Sequence, residues 1–562
     1  MRDMRLWQDW QEIEMKIINR NEAAARIKDH SVVYVGGFGA YSSPDELMRG
    51  LAENYCREGH PKALTVISGI CSGYGNMEDI GHNILCEPGL VDTIIAGHFM
   101  ISGKMSRMVS ENKVAAFAPP LGAIANMLRA GASGQPGVLM KVGLGTYVDP
   151  EVEGCAVNEL AKKKTIDPVK DCNNDHEHTD DRSELIKHVE VNGEDYLFYK
   201  ALRPDACLIR GTIADEDGNI SLKREGIHEY QLETAMAAKN NGGIVIVQVE
   251  EIAGCGSLNP KEIRIPGMLV DYVTLAGSEN HMQICGNMQY DPAVSAERRV
   301  PAGEIEPMPL DVRKVIARRA AMELAKNESN SSAADEGKKS GRALRSPVVN
   351  LGIGLPAGIG SVINEGWLEA DMILSLETGP VGGVPLGGPA FAGAVNHDVL
   401  MNAADTFAFY DGGGLDIAFL GSAEADKAGN VNVSKFGTRC AGPGGFINIT
   451  QNTPVVCFLG TFTAGKQEIR VGDGRLTMVK DGDSAKFVDR VQQITFSGGY
   501  AEKTGQKVLY ITERAVFELD SGKLKLIEIA PGADLEKDIL AKMEFEPVIS
   551  DELKEMDGNI FR

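Results

Sequence analysis

An α/β fold is predicted: two related open, mainly parallel α/β domains joined by a linker. Three observations carry this. Short apolar, β-branched runs recur between turn residues, as strands buried on both faces require. Two openings read strand, glycine turn, helix: "SVVYVGGFGAYSSPDELMRGL" at 31–51 and "PVVNLGIGLPAGIGSVINEGW" at 347–367. The chain also resembles itself. Those stretches lie 316 residues apart, whereas "ADEDGNI" (214–220) with "ADKAGNV" (425–431), and "IVIV" (244–247) with "VVCF" (455–458), lie 211 apart. A shared unit accounts for both offsets if the first copy carries 105 extra residues in its middle.

Taken in order, "SVVYV" opens the first copy as a strand, and "VGGFGA" (35–40) turns it into a helix. "ALTVIS", "DTIIAG" and "IVIV" supply further strands. "NESNSSAADEGKKSGR" (327–342) has almost nothing to bury and reads as the linker. The expected division is a first half over 1–326 with an inserted segment, a linker over 327–346, and a second half over 347–562. In that half "VVNL", "AFLG", "PVVCFLG" and "KVLYITE" repeat the strand pattern.

A chain of 562 residues exceeds what one hydrophobic core holds. With 57 Lys and Arg against 79 Asp and Glu, the net charge of −22 argues against a nucleic-acid partner. The ten cysteines form no C-x-x-C pair, which points to reduced thiols rather than a disulfide framework or a metal knuckle. The N-terminus suits neither a signal nor a transit peptide, and no apolar run has membrane-spanning length. The expected location is cytoplasmic.

Several motifs fail on their own chemistry. Gly352-x-Gly354-x-x-Ala357 matches a loose dinucleotide fingerprint, but Pro356 interrupts it and no ribose-binding acid follows. Its glycines can still present N–H groups to an anion. "GTFTAGKQ" (460–467) has Gln467 where a P-loop needs a hydroxyl for Mg²⁺. His176 and His178 have no further ligand at useful spacing, so no metal is expected.

The stretch "DMILSLETGPVGGVPLGG" (371–388) is different. Glu377 ends an apolar strand and faces five glycines and two prolines within eleven residues. Ligands in open α/β sheets sit beyond such strand ends. "YDGGGLDIAF" (410–419) and "RCAGPGGFINI" (439–449) add two more glycine clusters. Successive glycine N–H groups can converge on one oxyanion, which favours acyl chemistry. A carboxylate can act as base, ligand or nucleophile. Attack on a thioester would give a mixed anhydride and a thiolate, which could then take the glutamyl carbonyl.

These residues resemble a known family. "VGGFGA", "GLGTYVDPE" (143–151), "SENHMQ" (278–283), "VVNLGIGLP" (348–356), "SLETGPVGG" (375–383), "YDGGGLDIAFLGSAEADKAGNVNVSKFG" (410–437), "GPGGFINI" (442–449) and "QITFSGGYAEKTGQKVLYITERAVF" (493–517) are similar to family I coenzyme A transferases, the acetate and 3-oxoacid type, in their fused two-half form. The resemblance implies transfer of CoA between a short-chain acyl-CoA and a carboxylic acid by a ping-pong route. It implies that Glu377 becomes the glutamyl-CoA thioester and that Gly444 and Gly445 supply oxyanion amides. It places Asn350, Gly352, Ile353, Gly354, Leu355 and Pro356 at the border of the CoA site. No cofactor beyond CoA is expected, and a homo-oligomer, tetramer or dimer, is implied. Many relatives read Glu-Asn-Gly where this chain reads Glu377-Thr378-Gly379, and segment 160–190 matches the pattern poorly. Two other activities use the same site: hydrolysis, marked by CoA release without an acceptor acid, and acyl-CoA sensing, marked by binding without exchange.

Overall fold

The computed structural model describes residues 16–75, 77–164, 185–301, 307–331, 346–368 and 372–562. The N-terminal part builds an eight-stranded sheet from β1 (Lys16–Ile17), β2 (Val32–Val35), β3 (Leu64–Ile70), β4 (Val91–His98), β5 (Ala115–Phe117), β6 (Ala206–Arg210), β7 (Ile244–Val249) and β8 (Tyr272–Leu275). The spatial order is β1-β8-β7-β6-β2-β3-β4-β5, and every pairing is parallel. Such strands must be apolar on both faces, and Val32–Val35 is buried at all four positions.

The C-terminal part builds a second eight-stranded sheet from β9 (Val348–Leu351), β10 (Ile373–Leu374), β11 (Ile417–Gly421), β12 (Val455–Leu459), β13 (Lys507–Ile511), β14 (Ala515–Asp520), β15 (Lys523–Ile529) and β16 (Val548–Glu555), in the order β10-β9-β11-β12-β13-β14-β15-β16. The first five are parallel; β14 runs antiparallel to both its neighbours.

The strand registers reproduce the internal repeat. Val33 pairs with Ala206 and Val349 with Ile417; Ala206 pairs with Ile244 and Ile417 with Val455. The first strand is therefore displaced by 316 residues and the next two by 211, as the sequence offsets require. The extra residues of the first copy form β4, β5 and a small three-stranded sheet over residues 137–200. Val32 pairs with Thr65 as Val348 pairs with Ile373. Four residues beyond each, Gly69 stands where the second copy has Glu377.

Helices cover the sheets: α1 (Asp45–Glu58), α2 (Leu121–Ala132), α3 (Gln231–Asn240), α4 (Val312–Ser331), α5 (Gly358–Asn364), α6 (Ala403–Asp411) and α7 (Phe446–Gln451). Asp45 and Glu46 in the first turn of α1 match its dipole, and Gly59 at φ +68° closes it. The two parts share one core: α2 packs against both α3 and α6, and Phe407 and Phe458 belong to the same buried cluster as Val33 and Ile94.

Helix α4 moves a boundary. The division expected at 326 falls inside it, and its Val315, Ile316, Ala320 and Leu324 are buried with Val349, Leu351 and Phe419 of the C-terminal sheet. Arg319 is 1% exposed and donates to Glu323 and to both oxygens of Glu528. Packing thus changes hands before Val312. Most of the expected linker, residues 332–345, lies outside the described residues, as do 165–184 with His176 and His178. Among the described residues no helix is long and apolar enough to cross a membrane.

Candidate active site

Glu377 follows β10 at the carboxyl edge of the second sheet. The turn that carries it is built from backbone. Leu376 N–H donates to Pro380 O at 3.0 Å, Gly379 N–H to Leu376 O at 3.0 Å, and Met401 N–H to Gly379 O at 3.0 Å. Gly379 has φ +119°, and a Cβ there would stand 2.1 Å from Met401 O, so only glycine fits. The Thr378 side chain is fully buried, and its hydroxyl donates to Ala392 O. Thr378 therefore ties the 388–393 segment to the turn that carries Glu377.

Asn350, at the end of β9, does not border a surface groove: it is fully buried beside the carboxylate turn. Its Nδ2 donates to Ser375 O at 2.9 Å, and Ser375 Oγ and Tyr410 OH are 2.8 Å apart. Asn350 Oδ1 has no partner among the described residues. Ile353 and Gly354 are exposed, with Ile353 58% accessible, while Gly352 N–H continues the strand by donating to Phe419 O at 2.8 Å. Leu355 is half-buried and Pro356 buried. Asn350 and the exposed pair thus fall on different sides of the strand end.

The Glu377 side chain is neither fully buried nor exposed. Protein surrounds the carboxyl closely enough for burial to raise its pKa above the ordinary range, against the pull of its own backbone N–H and the Asn350 side chain. No cation of a described residue adds to these causes. The carboxylate is therefore desolvated and without a counter-ion, which a purely structural glutamate seldom is.

Gly442, Gly444 and Gly445 come from the loop before α7. A Cβ on Gly445 would lie 3.3 Å from Glu377 Cγ and 3.2 Å from the Phe407 ring. The Gly445 N–H meets no acceptor among the described residues. Gly444 departs from expectation: its N–H donates to Gly97 O at 2.9 Å, because the loop must dock on the first half. Only Gly445 of the pair keeps a free amide beside the carboxylate.

The first half's contribution was not visible in the sequence. Phe99 N–H donates to Ala441 O at 2.8 Å, Leu121 N–H to Gly444 O at 3.2 Å, and Gly122 N–H to Asn448 Oδ1 at 3.1 Å. Tyr230, fully buried, donates to Leu121 O at 3.1 Å, and its ionisation is opposed first by burial, then by Glu229 and Glu233, and less by Glu377 and Asp411. Asn448 Nδ2 in turn donates to Asp411, whose pKa burial lifts to about 7. "HEYQLE" (228–233) carried no periodicity that marked Tyr230 as a neighbour of the site.

Comparisons with known proteins agree with this geometry. Residues 17–276 match the family model "Coenzyme A transferase". The chain is 43% identical to the caffeate CoA-transferase of Acetobacterium woodii over 551 residues, covering 97% of each. It is 38% identical to the acetate CoA-transferase YdiF of Escherichia coli K12, covering 97% of this chain and 95% of that one. The crystal structure of the acyl-CoA transferase YdiF apoenzyme from E. coli O157:H7 superposes with a TM-score of 0.85 at 37% identity, covering 98% of this chain and 96% of that chain. The same E. coli protein has also been solved as a thioester complex with CoA. The chain belongs to the coenzyme A transferase family and is an enzyme that moves CoA between an acyl-CoA and a carboxylate.

Proposed function

We propose that this transfer runs by a ping-pong route through a thioester on Glu377, with short-chain acyl-CoA and small carboxylic acids as substrates. The observation that carries the reading is a desolvated carboxylate with no cation partner, at a strand end, against a free glycine amide. The Glu377 carboxylate attacks the thioester carbonyl, forms a mixed anhydride and releases the CoA thiolate. The thiolate attacks the glutamyl carbonyl and expels the first acid as its carboxylate, leaving glutamyl-CoA. A second carboxylate reverses both steps. Thioester is exchanged for thioester, so no ATP is consumed.

The geometry supplies what each step needs. Desolvation keeps the carboxylate reactive and limits the access of water to the anhydride, which disfavours hydrolysis. In this reading the free Gly445 amide donates to the tetrahedral oxyanion, and one such donor is worth about 3 kcal/mol. Acetate, the acid in YdiF's name, is the first acceptor to try.

The test is to incubate the enzyme with acyl-CoA alone, trap with borohydride or hydroxylamine, and analyse the peptides by mass. Modification should appear at Glu377; an unmodified Glu377 peptide from fully active enzyme ends the reading. Two further results are expected. Because Glu377 must be ionised and burial raises its pKa, kcat/KM falls with acidity through a limb that begins above the ordinary carboxylate range. A pH profile flat down to about 4 contradicts this. Gly445→Ala presses a methyl group on Glu377 and Phe407 and should lower kcat roughly 10²-fold, with a near-normal melting temperature.

A further inference from the structure

A cavity of about 730 Å³ opens between the two halves, apart from the residues so far assigned. Its walls include Ala40 after β2, Tyr74 and Met77 after β3, Met100 and Ile101 after β4, and Phe391 from the C-terminal part. It therefore sits beyond the carboxyl ends of three parallel strands, where open α/β sheets bind ligands.

Two chains of bonded contacts run from its wall to the Glu377 site. On one side Thr378, the next residue, donates to Ala392 O, and Phe391 is its neighbour in the cavity wall. On the other, Phe99 donates to Ala441 at 2.8 Å, with Met100 and Ile101 following it. The wall segment is held in place: the buried Tyr41 hydroxyl donates to Ala390 O at 2.7 Å.

The lining excludes one end of the substrate and suits the other. Among the described residues it contains no Lys, Arg, Asp or Glu to meet the phosphates of CoA. Met77 and Met100 remain 46% and 43% exposed, apolar surface that the protein leaves uncovered. An acetyl group fills about the space of two or three waters, roughly 30 Å³ each, and would leave most of the cavity empty. The volume is that of a pocket for a ligand of several rings or branches. Two aromatic rings and two thioethers favour an aryl group, since sulfur and ring edges both pack on aromatic faces.

The geometry points to this cavity as the acyl pocket, shaped for a bulky apolar acyl group that carries an aromatic ring, with Met100 and Phe391 setting its size preference. This rests on the glutamyl-thioester reading and replaces its short-chain acyl group with a bulkier, aromatic class.

The test compares kcat/KM for 3-phenylpropanoyl-CoA, hexanoyl-CoA and acetyl-CoA, with acetate as acceptor, in the native enzyme, Met100→Trp and Phe391→Ala. Trapping of CoA on Glu377 is followed in each. The native enzyme should prefer 3-phenylpropanoyl-CoA to acetyl-CoA by at least about tenfold, and Met100→Trp should reduce that ratio by at least about tenfold. Phe391→Ala should shift preference from the aryl to the linear hexanoyl chain. Ratios unmoved by both substitutions, with Glu377 still acquiring CoA, overturn the pocket and leave the thioester reading standing. Failure of every thioester to label Glu377 overturns both.

Discussion

Glu377→Gln abolishes CoA exchange while the protein stays folded. The amide has the shape of the carboxyl but cannot form the anhydride, and loss of a nucleophile costs about 10⁴-fold or more. The stability side is equally specific. Burial raises the folded-state pKa of Glu377, so the folded protein holds this proton more tightly than the unfolded chain. The cost of the ionised form is absent below the unfolded value, near 4.3, grows as pH rises, and is complete above the raised value. Removing the charge should therefore raise the melting temperature at pH 8 and leave it unchanged at pH 4. Native turnover in Glu377→Gln, or a melting temperature at pH 8 clearly below that of the parent, contradicts the account.

Gly442→Ala is expected to damage both stability and turnover. Gly442 has φ +85°, and a Cβ would stand 2.4 Å from Gly97 O, a carbonyl of the other half. The left-handed backbone costs about 1–2 kcal/mol with a side chain, and the clash about 1–3 more. Relief requires the 442–445 loop to withdraw from the first half, and the Gly445 amide moves with it. Turnover should fall at least about 10²-fold. Gly437→Ala is the control: φ is +60° there, but a Cβ meets nothing within 4 Å. If the two variants melt and turn over alike, the docking contact has no catalytic consequence.

The sequence revealed those features whose cause is local. Strands buried on both faces must be apolar along their length, so "VVYV" and "VVCFL" announce themselves, and a repeated unit keeps its register. Glu377 stands out for a similar reason: a charge directly after an apolar strand and before a run of glycines has few structural uses. What depends on distant chain was hidden. The choice between Gly444 and Gly445 turns on Gly97, more than 300 residues away. Tyr230 and Leu121 reach the site because α2 packs on α3 within the first half and on α6 of the second. The division drawn from the linker composition left most of helix α4 with the first half, whereas its Arg318, Arg319 and Glu323 are buried against the second sheet and its neighbours. Asn350, which the family resemblance placed at the border of the CoA site, is buried and braces the turn that carries Glu377, a contact only the folded chain reveals.

The position of Gly69 has a stoichiometric meaning. The ancestral unit was doubled, but the copy opposite Glu377 holds no acid, and any side chain there would run into the Tyr230 and Phe38 rings at 3.2 and 3.3 Å. On the proposed glutamyl-thioester route each polypeptide therefore carries one CoA equivalent. Its duplicate sheet serves as a wall for the reaction chamber instead of a second workshop.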